Sequence, residues 1–151
     1  MSGNQPMNIV KLSAEAETIS PHRILQPADW AKPVGYANGI EARGRTVYVG
    51  GQIGWNGQCR FEAYDLVGQV RQTLSNIITI LKESGAGPEH VTSMTWYVIN
   101  RKEYSSSLSE IGRVYRELMG RHFPAMAVME VSGLVEDAAL VEIQAIAVVP
   151  D

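Results

Sequence analysis

Glu142 is the one carboxylate inside the apolar run Ala139 to Val149, ALVEIQAIAVV. Read with period two, Ala139, Val141, Ile143, Ala145, Ala147 and Val149 line one face of a strand, and Leu140, Glu142, Gln144, Ile146 and Val148 line the other. A carboxylate buried in such a frame costs several kcal/mol unless it is paired, hydrogen-bonded or neutral, and burial alone raises its pKa by roughly 3 to 5 units. Groups of that kind serve as general acids and bases. The same periodicity also fits a Glu142 on a water-facing sheet surface or in a salt bridge.

Other reactive side chains form weaker patterns. The stretch GGQIGWNG, Gly50 to Gly57, has glycines whose freedom at positive φ would let backbone N–H groups approach a ligand, or simply form turns. It lacks the immediately following helix, the GK[ST] end and the acidic ribose partner of nucleotide loops. Cys59 beside Arg60 is either an activated thiolate or an exposed loop thiol, and no histidine stands near it in sequence. His22, His90 and His122 are far apart, lack metal-ligand spacing and are read as surface or loop residues. No GxSxG nucleophile elbow occurs.

These residues need elements to hold them. Asp65 opens and Gly85 closes a helix of about twenty residues, with Ala63, Leu66, Val67, Val70, Leu74, Ile77, Ile78 and Leu81 as its apolar stripe. Val91 to Ile99 alternates as a strand. Tyr104 to Met119 repeats the helical pattern through Leu108, Ile111, Val114, Tyr115 and Leu118, and Gly120 ends it. Ala125 to Ser132 is a further strand leading by a turn at 133–138 into the Glu142 strand. Upstream, Tyr36 to Glu41 and Arg45 to Ile53 are expected to pair as a hairpin through Ala42, Arg43 and Gly44. The prolines and glycines of 21–39 predict an ordered loop with Trp30 and Tyr36 packed inward.

The order predicts a single α/β (α+β) domain, a mixed sheet with two helices on one face. Its other face would carry Glu142 and Gln144 with Trp96 or Tyr97 and Met126 or Met129, too apolar to leave wet, which argues for an oligomer interface.

Composition sets the outer bounds. The chain has 151 residues, 45% of them hydrophobic, and a net charge of -3 from interspersed charges. That is one core, with residues 1–20 a peripheral segment and 21–151 the domain. No Lys/Arg cluster tracks a phosphate backbone, so nucleic acid is not expected as a partner. No stretch approaches the roughly 18 apolar residues of a membrane span, and the first residues lack a charged n-region followed by an apolar h-region, so no secretory leader is expected. The lone Cys59 excludes an internal disulfide framework, and a cytoplasmic protein is expected.

Four segments in order carry a resemblance over most of the chain from Gly35 onward. They are Gly35-Tyr36; Val47-Tyr48-Val49-Gly50-Gly51-Gln52-Ile53; the Gln69 to Leu81 helix with Arg71-Gln72-Thr73-Leu74-Ser75-Asn76-Ile77; and Phe123-Pro124-Ala125 with Val141-Glu142-Ile143-Gln144-Ala145-Ile146-Ala147. Together they resemble the RidA family, also called YjgF or L-PSP endoribonuclease. The resemblance implies a chorismate-mutase-like fold in a homotrimer, with sheets forming a central barrel, helices outside and ligand pockets between subunits. It implies hydrolysis of a small-molecule enamine or imine to a 2-keto acid and ammonia, with no cofactor and no metal.

By the same resemblance Glu142 positions the attacking water, Tyr36 hydrogen-bonds the ligand, and Gly51 lies beside it. Gly50 replaces a usual serine. Met126 stands where an arginine clamps the substrate carboxylate, with Val128 next to it in the pocket. Met126 offers neither charge nor N–H, so a nonstandard substrate is expected, or a carboxylate held by Arg113 or Arg121, or a binding protein that has lost catalysis. Trp55, near the pocket mouth by resemblance, suggests a larger or flatter ligand; Met126 and Trp55 also fit as packing residues. The family's older name raises ribonuclease activity, against which the acidic balance and the lack of a His pair stand.

Overall fold

The computed structural model describes residues 20–151, so the expectation for 1–20 lies outside the described residues except at Ser20. The chain runs β1 (Arg23–Leu25), β2 (Gly39–Glu41), β3 (Arg45–Ile53), α1 (Leu66–Glu83), β4 (Val91–Val98), α2 (Arg101–Ser106), α3 (Leu108–Met119), β5 (Ala125–Glu130) and β6 (Val141–Val149). Four strands form one mixed sheet in the order β3-β6-β4-β5. β6 is antiparallel to both neighbours, and β4 and β5 are parallel.

Helix α1 forms where its stripe demands it. The Asp65 carboxylate caps it by accepting the Gly68 N–H at 2.9 Å, and Gly85 leaves it at φ +67. Leu66, Val70, Leu74, Ile77 and Leu81 are buried on β3 and β6, each stabilising the fold by about 1.5–3 kcal/mol. The helix-facing side of the sheet meets them with Val49, Met94, Trp96, Val98, Val141, Ile143, Ala145 and Ala147.

Three expectations change. The second helix is two, because Asn100 caps α2 by accepting the Lys102 and Glu103 N–H groups, while the run Ser105, Ser106, Ser107 interrupts the ladder. Ser106 Oγ bonds back to the Glu103 carbonyl at 3.0 Å, the local competition that disfavours serine inside helices. The hairpin does not form either. β2 pairs with β1, Ile24 opposite Ile40, and β3 pairs with β6. Gly44, at φ +144, brings the chain so close to Val149 that a Cβ would collide with the Val149 carbonyl, which commits β3 to β6. Finally, Trp30 and Tyr36 are 60% and 43% exposed rather than packed inward.

Register settles which residues share the helix-free face. Tyr97 pairs with Glu142 and with Met129, and Thr95 pairs with Gln144 and with Ala127. That row, with Tyr48 opposite Ile146, lies away from α1 and α3. Trp96 and Met126 belong to the helix side.

Candidate active site

At the end of β3 the register slips. Val49 pairs with Ala145 but Gln52 with Ile143, so Gly50 and Gly51 together oppose Gln144 as a β-bulge, a device that re-aims backbone beside functional sites. Glu142 follows at once on β6, opposite Ile53. A Cβ built on Gly51 would sit 2.8 Å from Glu142 Oε1 and 3.2 Å from its Cγ, so the carboxylate lies against bare Gly51 backbone. Glu142 is half-buried. Among the described residues no side chain hydrogen-bonds it and no cation pairs with it. The carboxylate is therefore free to bind and orient water.

The start of β6 is fixed by Gln69 of α1, which is fully buried. Its Nε2 donates to the Ala138 carbonyl at 2.8 Å and to that of Ala63 at 3.2 Å, and its Oε1 accepts the Leu140 N–H at 2.8 Å. Both polar atoms of the amide are thus engaged, in three hydrogen bonds, one of them at Leu140 two residues ahead of Glu142. The end of β3 is held similarly, by Asn76 Nδ2 donating to the Ile53 and Trp55 carbonyls at 3.2 and 2.7 Å.

On the helix side a cavity of about 700 Å³ opens between α3, the β4–β5 edge and the loop 33–36. Tyr36, Met126 and Val128 line it, with Trp96, Tyr104, Tyr115 and Arg116 among the other walls. Trp96 and Tyr104 meet edge to face at 6.4 Å and Tyr115 stacks on Phe123 at 5.5 Å. Burial raises the pKa of both the Tyr104 and Tyr115 phenols, and Tyr115 donates its hydroxyl to the His122 carbonyl. The anticipated residues thus fall into two groups, Glu142 with Gly51 and Tyr36 with Met126 and Val128, on opposite faces of one sheet.

A family model described as endoribonuclease L-PSP matches residues 29–149. The chain belongs to this family, which is the RidA or YjgF family. A RutC family protein of Pyrococcus horikoshii is 34% identical over 118 residues, covering 77% of this chain and 89% of its own. A protein of Dermatophagoides farinae called 2-iminobutanoate/2-iminopropanoate deaminase is 29% identical over 140 residues, covering 87% and 99%. The Rid-family protein YyfB of Yersinia pestis superposes with a TM-score of 0.77 at 28% identity, over 85% of this chain and 98% of its own.

The other candidates in this RidA-family chain sit elsewhere. Trp55 packs on Phe61 at 6.0 Å and does not line the cavity. Gly50 is exposed, and neither it nor Gly51 has positive φ; the loop glycines through Gly57 do not use that freedom. The left-handed residue there is Cys59, exposed at φ 59, in a turn organised by Asn56 Oδ1, which accepts the Gln58 and Arg60 N–H groups. Of the histidines His22 is buried, contrary to expectation, with Nε2 on the His90 carbonyl at 3.1 Å. No group of three His, Cys, Asp or Glu side chains converges among the described residues. Arg113 and Arg121 lie outside the cavity wall. Arg116 is the arginine in it, and helical spacing could have found it, four residues from Gly112 and eight from Leu108 on one stripe.

Proposed function

We propose that this protein hydrolyses an imine or enamine of the 2-imino acid type to a 2-keto acid and ammonia, in a homotrimer whose sites lie between chains. The observation that carries the reading is the unpaired Glu142 carboxylate held against Gly51 at the β3 bulge. Relatives named as iminobutanoate/iminopropanoate deaminases support the reaction class.

In this mechanism Glu142 takes a proton from water as the water oxygen bonds to the imine carbon. The imine nitrogen is protonated, the C–N bond breaks with its electron pair going to nitrogen, and ammonia leaves as the carbonyl forms. One water is consumed and nothing is oxidised. Glu142 and Gly51 of one chain face the cavity of Tyr36, Met126 and Val128 on its neighbour, and the bare sheet face with Tyr97 and Met129 is covered on assembly. No helix among the described residues is long and apolar enough to cross a membrane; a cytoplasmic enzyme is the working assignment. Because Met126 supplies no carboxylate clamp, the substrate is a nonstandard member of that class, held by other contacts. Against ribonuclease action stands the net charge of -3, carried by interspersed charges.

The test couples purified protein to an amino-acid oxidase that releases free imines and follows loss of imine against the uncatalysed rate. Acceleration abolished in Glu142→Gln is expected. Equal rates for wild type and variant would favour the second reading, to which Met126 gives weight: a trimeric small-molecule binder without catalysis.

A further inference from the structure

We infer that Arg116 is the anion-recognising residue of this chain and that the cavity takes an aryl-substituted carboxylate, an aromatic 2-imino acid if the hydrolase reading holds. Arg116 is the charged residue among those lining the cavity, none of which is Asp or Glu. Among the described residues it has no ion-pair partner, whereas Arg71 is bound to Glu117 at 2.9 Å and Arg23 to Glu41 at 3.4 Å. Its guanidinium folds back along α3 over Gly112, where a Cβ would lie 3.2 Å from Nη1. Glycine at 112 leaves that shelf open. An unpaired guanidinium at the rim of an apolar chamber is suited to bind one carboxylate in bidentate fashion.

The rest of the wall selects for a ring. Trp96, Tyr104, Tyr115, Phe123 and Met126 present aromatic and thioether surface, the surroundings that favour flat apolar groups. Trp96, 2% exposed, also has a buried Nε1–H without an acceptor. A cavity of about 700 Å³ lies in the range that encloses drug-sized ligands. A three-carbon imino acid would leave most of it empty, and Met126 in place of a cation leaves the β5 side of the chamber apolar.

The test separates binding from turnover. Calorimetric titration of the intact protein uses 3-phenylpropanoate, propanoate and 3-phenylpropan-1-ol. The expected result is at least about tenfold tighter binding of 3-phenylpropanoate than of either other probe, 1.4 kcal/mol or more. Arg116→Gln should lose the preference for the acid over the alcohol, Arg116→Lys should keep part of it, and Gly112→Ala should weaken it. Equal binding of acid and alcohol, or an unchanged preference in Arg116→Gln, overturns the proposal. Arg116 is exposed, so the variant is expected to fold. With imines generated from phenylalanine and alanine, kcat/KM should favour the aromatic imine about tenfold, and Arg116→Gln should raise KM more than it lowers kcat. Tight 3-phenylpropanoate binding with no turnover of either imine would remove the hydrolase reading and leave this site standing. Turnover of the alanine imine without 3-phenylpropanoate binding would do the reverse.

Discussion

Gly51 makes the room that Glu142 occupies: a methyl group on the Gly51 backbone would lie 2.8 Å from Glu142 Oε1. The backbone there is not left-handed, so alanine is conformationally allowed and the nearest obstacle is the Glu142 side chain.

Gly51→Ala should therefore fold normally and displace the Glu142 carboxylate. Misplacing a catalytic group by about 1 Å costs on the order of a hundredfold in rate, so kcat for imine hydrolysis should fall ten- to a hundredfold with the thermal midpoint little changed. Steady-state kinetics beside a melting curve decides it, and full activity in Gly51→Ala would remove the proximity argument.

Met126→Arg should broaden the substrate range. Met126 lines the cavity and is only partly buried, so an arginine there has space to extend and would offer a second, deeper carboxylate partner. The expected outcome is about a tenfold rise in kcat/KM on the alanine-derived imine, the worth of one charge-assisted contact. No gain in a folded protein would mean that the chamber has diverged beyond this one side chain.

Gln69→Leu should destabilise the fold strongly. It strands the Leu140 N–H and the Ala138 and Ala63 carbonyls that Gln69 now satisfies, a cost of about 2–4 kcal/mol. Gly54 packs against the same side chain, where a Cβ would sit 2.6 Å from Gln69 Cβ. Urea unfolding measures the loss, and a midpoint equal to wild type would contradict it.

Tyr115→Phe should change the alkaline limb of stability. Burial raises the Tyr115 pKa in the folded state, so in that state the phenol holds its proton at pH values where the unfolded chain has released it. Its contribution is complete below the unfolded value of about 10 and declines as pH rises through the folded one. The variant should lose about 1 kcal/mol at neutral pH with the bond to the His122 carbonyl, and fall less steeply above pH 10. Parallel curves above pH 10 would show that Tyr115 does not govern that limb.

The Glu142 strand and α1 were legible because each has a long, unbroken period: the alternation from Ala139 to Val149 and the stripe from Leu66 to Leu81. β1 was not, since three residues carry no readable alternation and its pairing with β2 depends on a contact far along the chain. The α2–α3 break hid because Tyr104 and Leu108 keep helical spacing across Ser107. Of the candidate site, the family resemblance points to Tyr36, Gly51, Met126, Val128 and Glu142, but which face each occupies follows only from the register of β4 against β5 and β6. That Arg116 lines the cavity while Arg113 and Arg121 do not depends on the rotation of α3 against the sheet, which is a tertiary fact.

The two groups of site residues point away from each other across a single sheet, and this has a genetic consequence. In an assembly that builds each site from two neighbours, a lesion at Glu142 and a lesion in the cavity damage different halves. Under the proposed function, chains carrying one lesion each, mixed and reassembled, would regain some intact sites although both parents would be inactive. Chains carrying the two lesions together would poison every site they touch.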